Sequence, residues 1–303
     1  MNIGLIDVDS HNFPNLALMK ISAYHKNKGD QAEMWNGLKR YDKVYKAKVF
    51  SDGYSKDMDF CINADEVISG GTGYAIQSKD GKEIYTKLLD KVLPKEIEHA
   101  FPDYSLYKTN EAIGFLTRGC PNNCGFCIVG KKEGLKTVRV AELSEFWNGQ
   151  KQITLLDPNI TASKDCESLF QDLINTGSWI DINQGLDIRF LTEKGAAQLN
   201  KMKLKILHFA WDNYEFKTYE KLKHFRPLLK YDGRKLRVYV LTNFDTNTEQ
   251  DLERIYKLRE LDYDPYVMIF DKPNAKKETK QIQRWVNNKF IWRVCKTFEE
   301  YKC

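Results

Sequence analysis

The stretch Ala112-Ile113-Gly114-Phe115-Leu116-Thr117-Arg118-Gly119-Cys120-Pro121-Asn122-Asn123-Cys124-Gly125-Phe126-Cys127 decides how this chain is read. A strand-sized apolar run, Ala112–Leu116, leads directly into a loop whose cysteines are spaced C-x3-C-x2-C. Gly119, Pro121 and Gly125 let that loop curl so that three thiolates converge on one centre. The loop lies at the carboxyl end of a strand, where α/β folds collect their ligands. Three soft thiolates suit zinc or an iron–sulfur cluster. A structural zinc site needs a fourth Cys or His to close its tetrahedron, and the loop offers neither. A cubane cluster held by three cysteines instead leaves one iron open to another molecule.

Downstream of this loop the pattern becomes regular. Strand candidates fall at Ala112–Leu116, Gln152–Leu156, Ile180–Asn183, Lys205–Ala210, Leu236–Leu241 and Tyr266–Phe270, each followed by a helical pattern. Six β/α units in series predict a parallel sheet curled into part of a barrel, short of the eight that close one. The clearest helix is Ser163–Thr176, with Ser163 as its cap and Gly177 as its stop. Upstream, residues 1–111 read as a smaller open α/β unit: a buried strand at 2–8, a helix over Leu16–Asn27 closed by Gly29, and strands within Gln31–Trp35, Lys43–Phe50 and Glu66–Ser69. A further helix is expected near Ile84–Val92, stopping at Pro94. The fold class is therefore α/β, a Rossmann-like open sheet over residues 1–105 followed by a six-unit partial TIM barrel over 106–290 and a tail over 291–303.

The cysteine spacing, with an aromatic residue before the last cysteine, resembles the radical-SAM superfamily signature, and the resemblance extends over about residues 112–290. It implies that Cys120, Cys124 and Cys127 hold a 4Fe-4S cluster whose open iron is chelated by S-adenosylmethionine (SAM), with Phe126 packed beside the cofactor. Reductive cleavage of SAM would then give methionine and a 5′-deoxyadenosyl radical. The chain departs from the family at the end of the second strand, where Leu156-Asp157-Pro158-Asn159 replaces Gly-Gly-Glu. Asp157 and Asn159 either substitute as acceptors for the methionyl ammonium or form a simple turn. After the third strand, Asn183-Gln184-Gly185-Leu186-Asp187-Ile188-Arg189 resembles the N-G-L-x-x-R segment of the branch with an N-terminal cobalamin-binding-type domain. That likeness implies Gln184, Asp187 and Arg189 at the cofactor, with the guanidinium on the SAM carboxylate; the alternative for Arg189 is a structural ion pair. Trp211-Asp212-Asn213 and Thr242-Asn243 end the fourth and fifth strands, as cofactor or substrate lining or as ordinary caps, and Lys272 lies beyond the sixth.

Residues 1–111 resemble the cobalamin-binding-type domain that precedes the barrel in that branch. Asp9-Ser10-His11-Asn12-Phe13-Pro14 stands where the family has D-x-H-x-x-G, with proline in place of the glycine. This implies a place for cobalamin, and the other reading makes His11 a turn residue capping the helix. Gly70–Gly73 either packs a strand end closely or cradles a phosphate. Methylthiotransferases share the architecture but carry a second cysteine trio, where this unit has Cys61 alone. Cys61, Cys166, Cys295 and Cys303 are read as buried or incidental thiols.

The remaining composition sets limits. The chain has 303 residues, 42% hydrophobic and 29% charged, with a net charge of +5, which excludes a disordered or fibrous chain. No window approaches the roughly 18 consecutive apolar residues of a spanning helix. The N-terminus lacks a basic leader and carries Asp7 and Asp9, so a cytoplasmic location is expected. Seven cysteines, three of them clustered, fit a reducing compartment. Residues 220–303 carry 19 Lys+Arg against 13 Asp+Glu, and there Lys276, Lys277, Lys280, Arg284, Lys289 and Arg293 interleave with Trp285, Phe290 and Trp292. Such a segment either binds single-stranded nucleic acid or covers the barrel with its aromatics inward. The expected function is a radical-SAM enzyme that draws on an external electron donor and modifies a small molecule, peptide or nucleic acid, with methyl transfer among the outcomes. The competing readings are a non-catalytic iron–sulfur or zinc binding module and a nucleic-acid modification factor.

Overall fold

The computed structural model describes residues 1–11, 13–57, 60–79 and 82–302, and the chain divides into two compact units. Unit 1 takes in residues 1–114 and 141–150, and unit 2 takes in residues 115–140 and 151–303.

Unit 1 is built on β1 (Asn2–Asp7), whose four buried residues Ile3–Ile6 mark a strand covered on both faces. Helix α1 (Leu16–Asn27) follows, and its N-cap is Asn15, whose Oδ1 accepts from the Leu18 N–H at 3.2 Å; the capping role falls to Asn15 and not to His11. Then come β2 (Gln31–Met34), β3 (Tyr41–Ala47) and β4 (Ala64–Gly70). All four strands are parallel, in the order β2-β1-β3-β4, which places the topological switch point between β1 and β3. Ile3, Leu5, Leu18, Ile21 and Ala32 form the core under α1, and Ile6, Tyr41 and Val44 form a second cluster. After β4 come a single turn α2 (Thr72–Ala75) and an antiparallel hairpin, β5 (Ile76–Lys79) with β6 (Lys82–Tyr85). The helix expected near Ile84–Val92 is thus a strand end followed by a 3-10 turn at Lys87–Leu89. Leu88 and Val92 are exposed, so the apolar spacing that suggested a helix buries no face. The turn α3 (Lys95–Glu98) and β7 (Glu111–Gly114) complete the unit, and Phe146 fills the space over Gly114, where a Cβ would lie 2.4 Å from its ring.

Unit 2 opens with β8 (Thr117–Arg118), α4 (Val129–Glu133) and β9 (Val138–Arg139), and the short antiparallel pair β8/β9 brackets the cysteine loop. The β/α series follows: β10 (Gln152–Leu155), α5 (Cys166–Thr176), β11 (Trp179–Ile182), α6 (Glu193–Leu199), β12 (Lys203–Leu204), β13 (Leu207–Ala210), α7 (Phe216–Phe225), β14 (Leu236–Thr242), α8 (Thr248–Glu260), β15 (Asp264–Ile269) and α9 (Lys277–Asn287). The chain ends in α10 (Lys289–Val294) and α11 (Phe298–Lys302). Helix α5 starts at Cys166 and not at Ser163, because Ser163 Oγ accepts the Asp165 N–H at 3.2 Å and closes a turn ahead of the helix. Gly177 ends it in the left-handed conformation, φ 64°.

The strands of the series are parallel in register: β10 with β11, β11 with β12, and β13 with β14 and β15. A parallel bridge between Leu186 and Phe209 links the continuation of β11 to β13, so the two groups form one open series. The fold is α/β with parallel sheets in both units. On β13 and β14 the residues Leu207, Phe209, Leu236, Val238 and Val240 are fully buried, while His208, Ala210, Arg237, Tyr239 and Leu241 alternate with them and are half-buried. The strands thus turn one sealed face to the helices and one open face inward. Among the described residues no helix is long and apolar enough to cross a membrane.

Candidate functional site

The cysteine loop is held at both ends by polar contacts that the local sequence makes obligatory. At its entry, Asp157 is fully buried and accepts from the Leu116 N–H at 3.1 Å, the Thr117 N–H at 2.5 Å and the Thr117 hydroxyl at 2.6 Å. Burial pushes the Asp157 carboxyl up to about 6, and the same hydrogen bonds restrain the rise. Sequence reasoning offered Asp157 to a ligand; in the structure its carboxylate is committed to the loop's first residues. Gly119 follows, with φ 86° and the Lys136 carbonyl oxygen 2.1 Å from where a Cβ would stand, so only glycine fits there. Its N–H donates to Glu133 at 3.1 Å, and Arg118 pairs with the same carboxylate at 3.0 Å.

Cys120, Cys124 and Cys127 are all free and half-buried. Burial, and after it the charges of Cys127, Asp212 and Cys120, together push the Cys124 thiol up to about 11. Cys127 is raised by burial and by Cys120 and Asp212 as well. The three thiols are therefore close enough to sense one another. As the side chains stand, no three His, Cys, Asp or Glu among the described residues are arranged to hold a single metal ion.

From Cys120 a polar chain runs across the strand ends. Asn159 Nδ2 donates to Cys120 Sγ at 3.3 Å and lies 3.5 Å from Asp187, and Asn122 within the loop donates to Asp187 at 2.6 Å. Asp187 in turn receives the Arg189 Nε and Nη2 groups, each at 2.8 Å. Burial alone would raise the Asp187 carboxyl, but the Arg189 guanidinium and the Asn122 amide more than offset it and leave it below the usual carboxylate range. Arg189 also faces Glu215 at 3.8 Å. So Asn159, Asp187 and Arg189 are brought to the cysteine loop, whereas Gln184 is exposed and outside this chain of contacts. Phe126 meets Phe244 edge-on at 5.4 Å, and Phe244 meets Phe270 at 4.9 Å, forming an aromatic wall beside Cys127.

Sequence reasoning missed Arg254. It is fully buried on α8, donates to the carbonyls of Trp211 at 2.6 Å, Asp212 at 2.9 Å and Leu241 at 2.7 Å, and pairs with Asp251 at 2.6 Å. It ties the ends of β13 and β14 together and so fixes Asp212, whose carboxyl burial pushes up to about 6 and whose charge reaches Cys124 and Cys127. The Asp251–Arg254 spacing of i, i+3 was visible in the sequence, but nothing marked it as buried.

In unit 1 the carboxyl ends of β1 and β3 are filled by the chain's own groups. Asp9, 2% exposed, accepts from the Val49 N–H at 2.8 Å and the Phe50 N–H at 2.9 Å. A Cβ on Gly71 would lie 2.3 Å from the Lys48 carbonyl oxygen, and one on Gly73 2.3 Å from that of Phe50, so both glycines allow the chain to pack closely against the segment after β3. His11 is exposed with φ 46°, and Asn12 lies outside the described residues. Cys61 is exposed, Cys166 and Cys295 are half-buried, and Cys303 lies outside the described residues. In the basic segment, Trp285 is fully buried and meets Trp292 at 5.0 Å, Arg259 lies over the Trp292 ring, Lys289 pairs with Asp264 at 2.6 Å, and Phe290 is exposed. The two tryptophans thus face the barrel.

The fold has a counterpart among solved structures. The chain is similar to the radical S-adenosylmethionine methyltransferase TsrM from Kitasatospora setae, with cobalamin and a [4Fe-4S] cluster bound, at a TM-score of 0.65 and 11% identity over 88% of this chain and 74% of that one. The two chains share a fold. TsrM with tryptophan substrate and the SAM analogue aza-SAM bound matches with a TM-score of 0.60 and 10% identity, over 88% of this chain and 72% of that one. No protein-family model and no curated protein matches the chain.

Proposed function

We propose that this chain is a radical-SAM enzyme in which Cys120, Cys124 and Cys127 hold a 4Fe-4S cluster and Asn159, Asp187 and Arg189 serve the SAM that binds its open iron. The observation that carries the reading is the contact chain Cys120–Asn159–Asp187–Arg189 at the strand ends, in a fold similar to that of a radical-SAM methyltransferase. A reduced cluster of this kind supplies an electron to the SAM sulfonium and releases methionine and a 5′-deoxyadenosyl radical. The residues then divide the work. Asp157 and Glu133 fix the two ends of the loop. Arg189, neutralised by Asp187 and steered by Glu215, presents its remaining N–H groups to the SAM carboxylate. Asn159 donates to the Cys120 sulfur, a contact that stabilises thiolate charge and tunes cluster potential. Phe126, edge-on to Phe244, lines the side of the loop next to Cys127.

Methyl transfer to a small molecule is the specific reaction that the neighbour suggests, and tryptophan is that neighbour's substrate. Cobalamin comes to this chain from the same source, and exposed His11 stands beyond the end of β1. The amides that a nucleotide tail would use at the β1/β3 switch point are taken by Asp9, so the reading routes no step through a corrinoid. An external electron donor is required for turnover.

The test is anaerobic cluster reconstitution followed by a reductant-driven assay for 5′-deoxyadenosine. Wild type is expected to yield 5′-deoxyadenosine and methionine together, and Cys124→Ala none. A loaded cluster that leaves SAM intact would overturn the reading in favour of a non-catalytic binding module.

A further inference from the structure

A concentration of positive charge lies on the helices that follow β15. From Lys276 to Lys296 the chain has seven Lys and Arg and one carboxylate, Glu278. On α9 the residues Thr279, Ile282, Trp285 and Val286 are buried, while Lys277 and Arg284 are exposed, with half-buried Lys280 between them. Positions i, i+3 and i+7 form one stripe about 10 Å long on the side away from the core. The inner side of the helix is closed against β15: Gln283 and Asn287 donate to the Val267 carbonyl at 3.1 and 3.0 Å, and Asn287 Oδ1 accepts the Val267 N–H at 2.8 Å. Of the seven cations, Lys289 is matched by Asp264 at 2.6 Å. Lys276, Lys277, Arg284, Arg293 and Lys296 are all exposed.

Helix α10 holds an aromatic ring outward on a fixed base. Asn288 Oδ1 accepts the N–H groups of Phe290 and Ile291 at 3.1 and 3.3 Å. Lys289 Nζ donates to the Pro265 carbonyl at 3.0 Å, and Arg259 donates to the carbonyls of Trp292 and Lys296. Just past the helix, the Cys295 carbonyl accepts the Trp285 indole N–H at 3.0 Å. Trp292 packs inward on Trp285 at 5.0 Å. Phe290 and Val294, one turn apart, are left 83% and 78% exposed, with exposed Arg293 between them. Because the turn that carries Phe290 is pinned, covering its ring costs little further ordering of the chain.

We infer that the outer face of α9 and α10 binds single-stranded nucleic acid, with Lys276, Lys277 and Arg284 along its phosphates and Phe290, flanked by Arg293, stacked on an unpaired base. Lysines and arginines in a line neutralise phosphates and release their counterions. An exposed ring adds stacking that any base accepts, and a duplex keeps its base faces inside, so the ring favours the single strand. A membrane fits this face less well. An interfacial helix lays a wide apolar face into the lipid, and that of α9 is buried in the core, which leaves Phe290 and Val294 outward. The two readings of this segment thus belong to opposite faces: the tryptophans cover the barrel, and the cations and Phe290 meet the partner. The inference goes beyond the proposed function and does not rest on it.

The experiment is fluorescence anisotropy of a labelled oligo-uridine of about 16 nucleotides titrated with the full-length, cluster-reconstituted protein, without SAM or reductant. Wild type is expected to bind it, and to lose at least tenfold in affinity between about 50 and 200 mM salt, as three or four neutralised phosphates require. A variant combining Lys276→Glu, Lys277→Glu and Arg284→Glu should bind at least tenfold more weakly and show a flatter salt dependence. Phe290→Ala should weaken binding at least fivefold, the low end of what one stacked base contributes, with the salt dependence kept. All four side chains point away from the core or lie half in water, and thermal midpoints check that the variants keep the fold. Polyglutamate of matched charge should compete at least tenfold less well than unlabelled oligo-uridine, because it brings charge without bases. No binding at the lower salt, equal competition by polyglutamate, tighter binding of a duplex of the same length, or unchanged affinity in either folded variant overturns the inference.

Discussion

Gly119 precedes the first cysteine, and its positive φ and its closeness to the Lys136 carbonyl leave no room for any side chain. Gly119→Ala is expected to displace the loop, so that reconstituted protein holds well under half the iron and sulfide of wild type by chemical assay. Arg189→Ala should load its cluster normally but bind SAM about 10- to 100-fold more weakly, the scale of removing one charge-assisted bidentate pair; unchanged SAM affinity would return Arg189 to a purely structural pairing with Asp187. Asp157 makes a prediction through pH. Its folded carboxyl titrates at about 6 against an ordinary 3.8, so the folded protein holds this proton more tightly than the unfolded chain does. The stability it contributes is fully present below the ordinary value and is lost as pH rises through about 6, about 3 kcal/mol in all. Denaturant titrations of the unloaded protein should show the wild-type minus Asp157→Asn difference falling across that window. The cysteine trio was legible in the sequence because its spacing is local. The role of Asp157 was not, because it depends on Leu116 and Thr117 crossing under the end of β10, some 40 residues away in the chain.

At the scale of elements, the helices hold the strand ends in place. Arg254 on α8 binds three carbonyls and a buried carboxylate, so Arg254→Met leaves Asp251 buried without its partner. It is expected to cost about 3–5 kcal/mol, read as a lowered thermal midpoint. Trp285 on α9, packed on Trp292, Phe298 and Tyr256, should cost about the same 3–5 kcal/mol when cut to Ala. Helix α1 was read to the residue because its apolar face and closing glycine agree in one short segment, although its cap is Asn15 and not His11. The segment Ile84–Val92 misled because Leu88, Leu89 and Val92 share helical spacing without a surface to bury against, and Ile84 pairs with Gln77 in a hairpin instead. The missing part is tertiary: periodicity states which residues share a face, not whether the fold supplies a partner for it.

At the scale of the whole molecule, two α/β units share one chain, and the chemistry proposed here belongs to unit 2. Alternating strand and helix patterns made the β/α series readable, since each parallel strand needs a crossover and the sequence must supply it. The contents of the inner face were not readable, because a half-buried tyrosine and a core tyrosine look alike until the strands are in register. The central claim is that three cysteines hold a cluster that engages SAM. It is tested most directly by electron paramagnetic resonance of the anaerobically reconstituted, reduced protein before and after SAM is added. The account predicts the signal of a reduced 4Fe-4S cluster that changes when SAM binds and is absent in Cys124→Ala. A cluster signal indifferent to SAM, or a protein that takes up zinc in place of iron and sulfide, would contradict it.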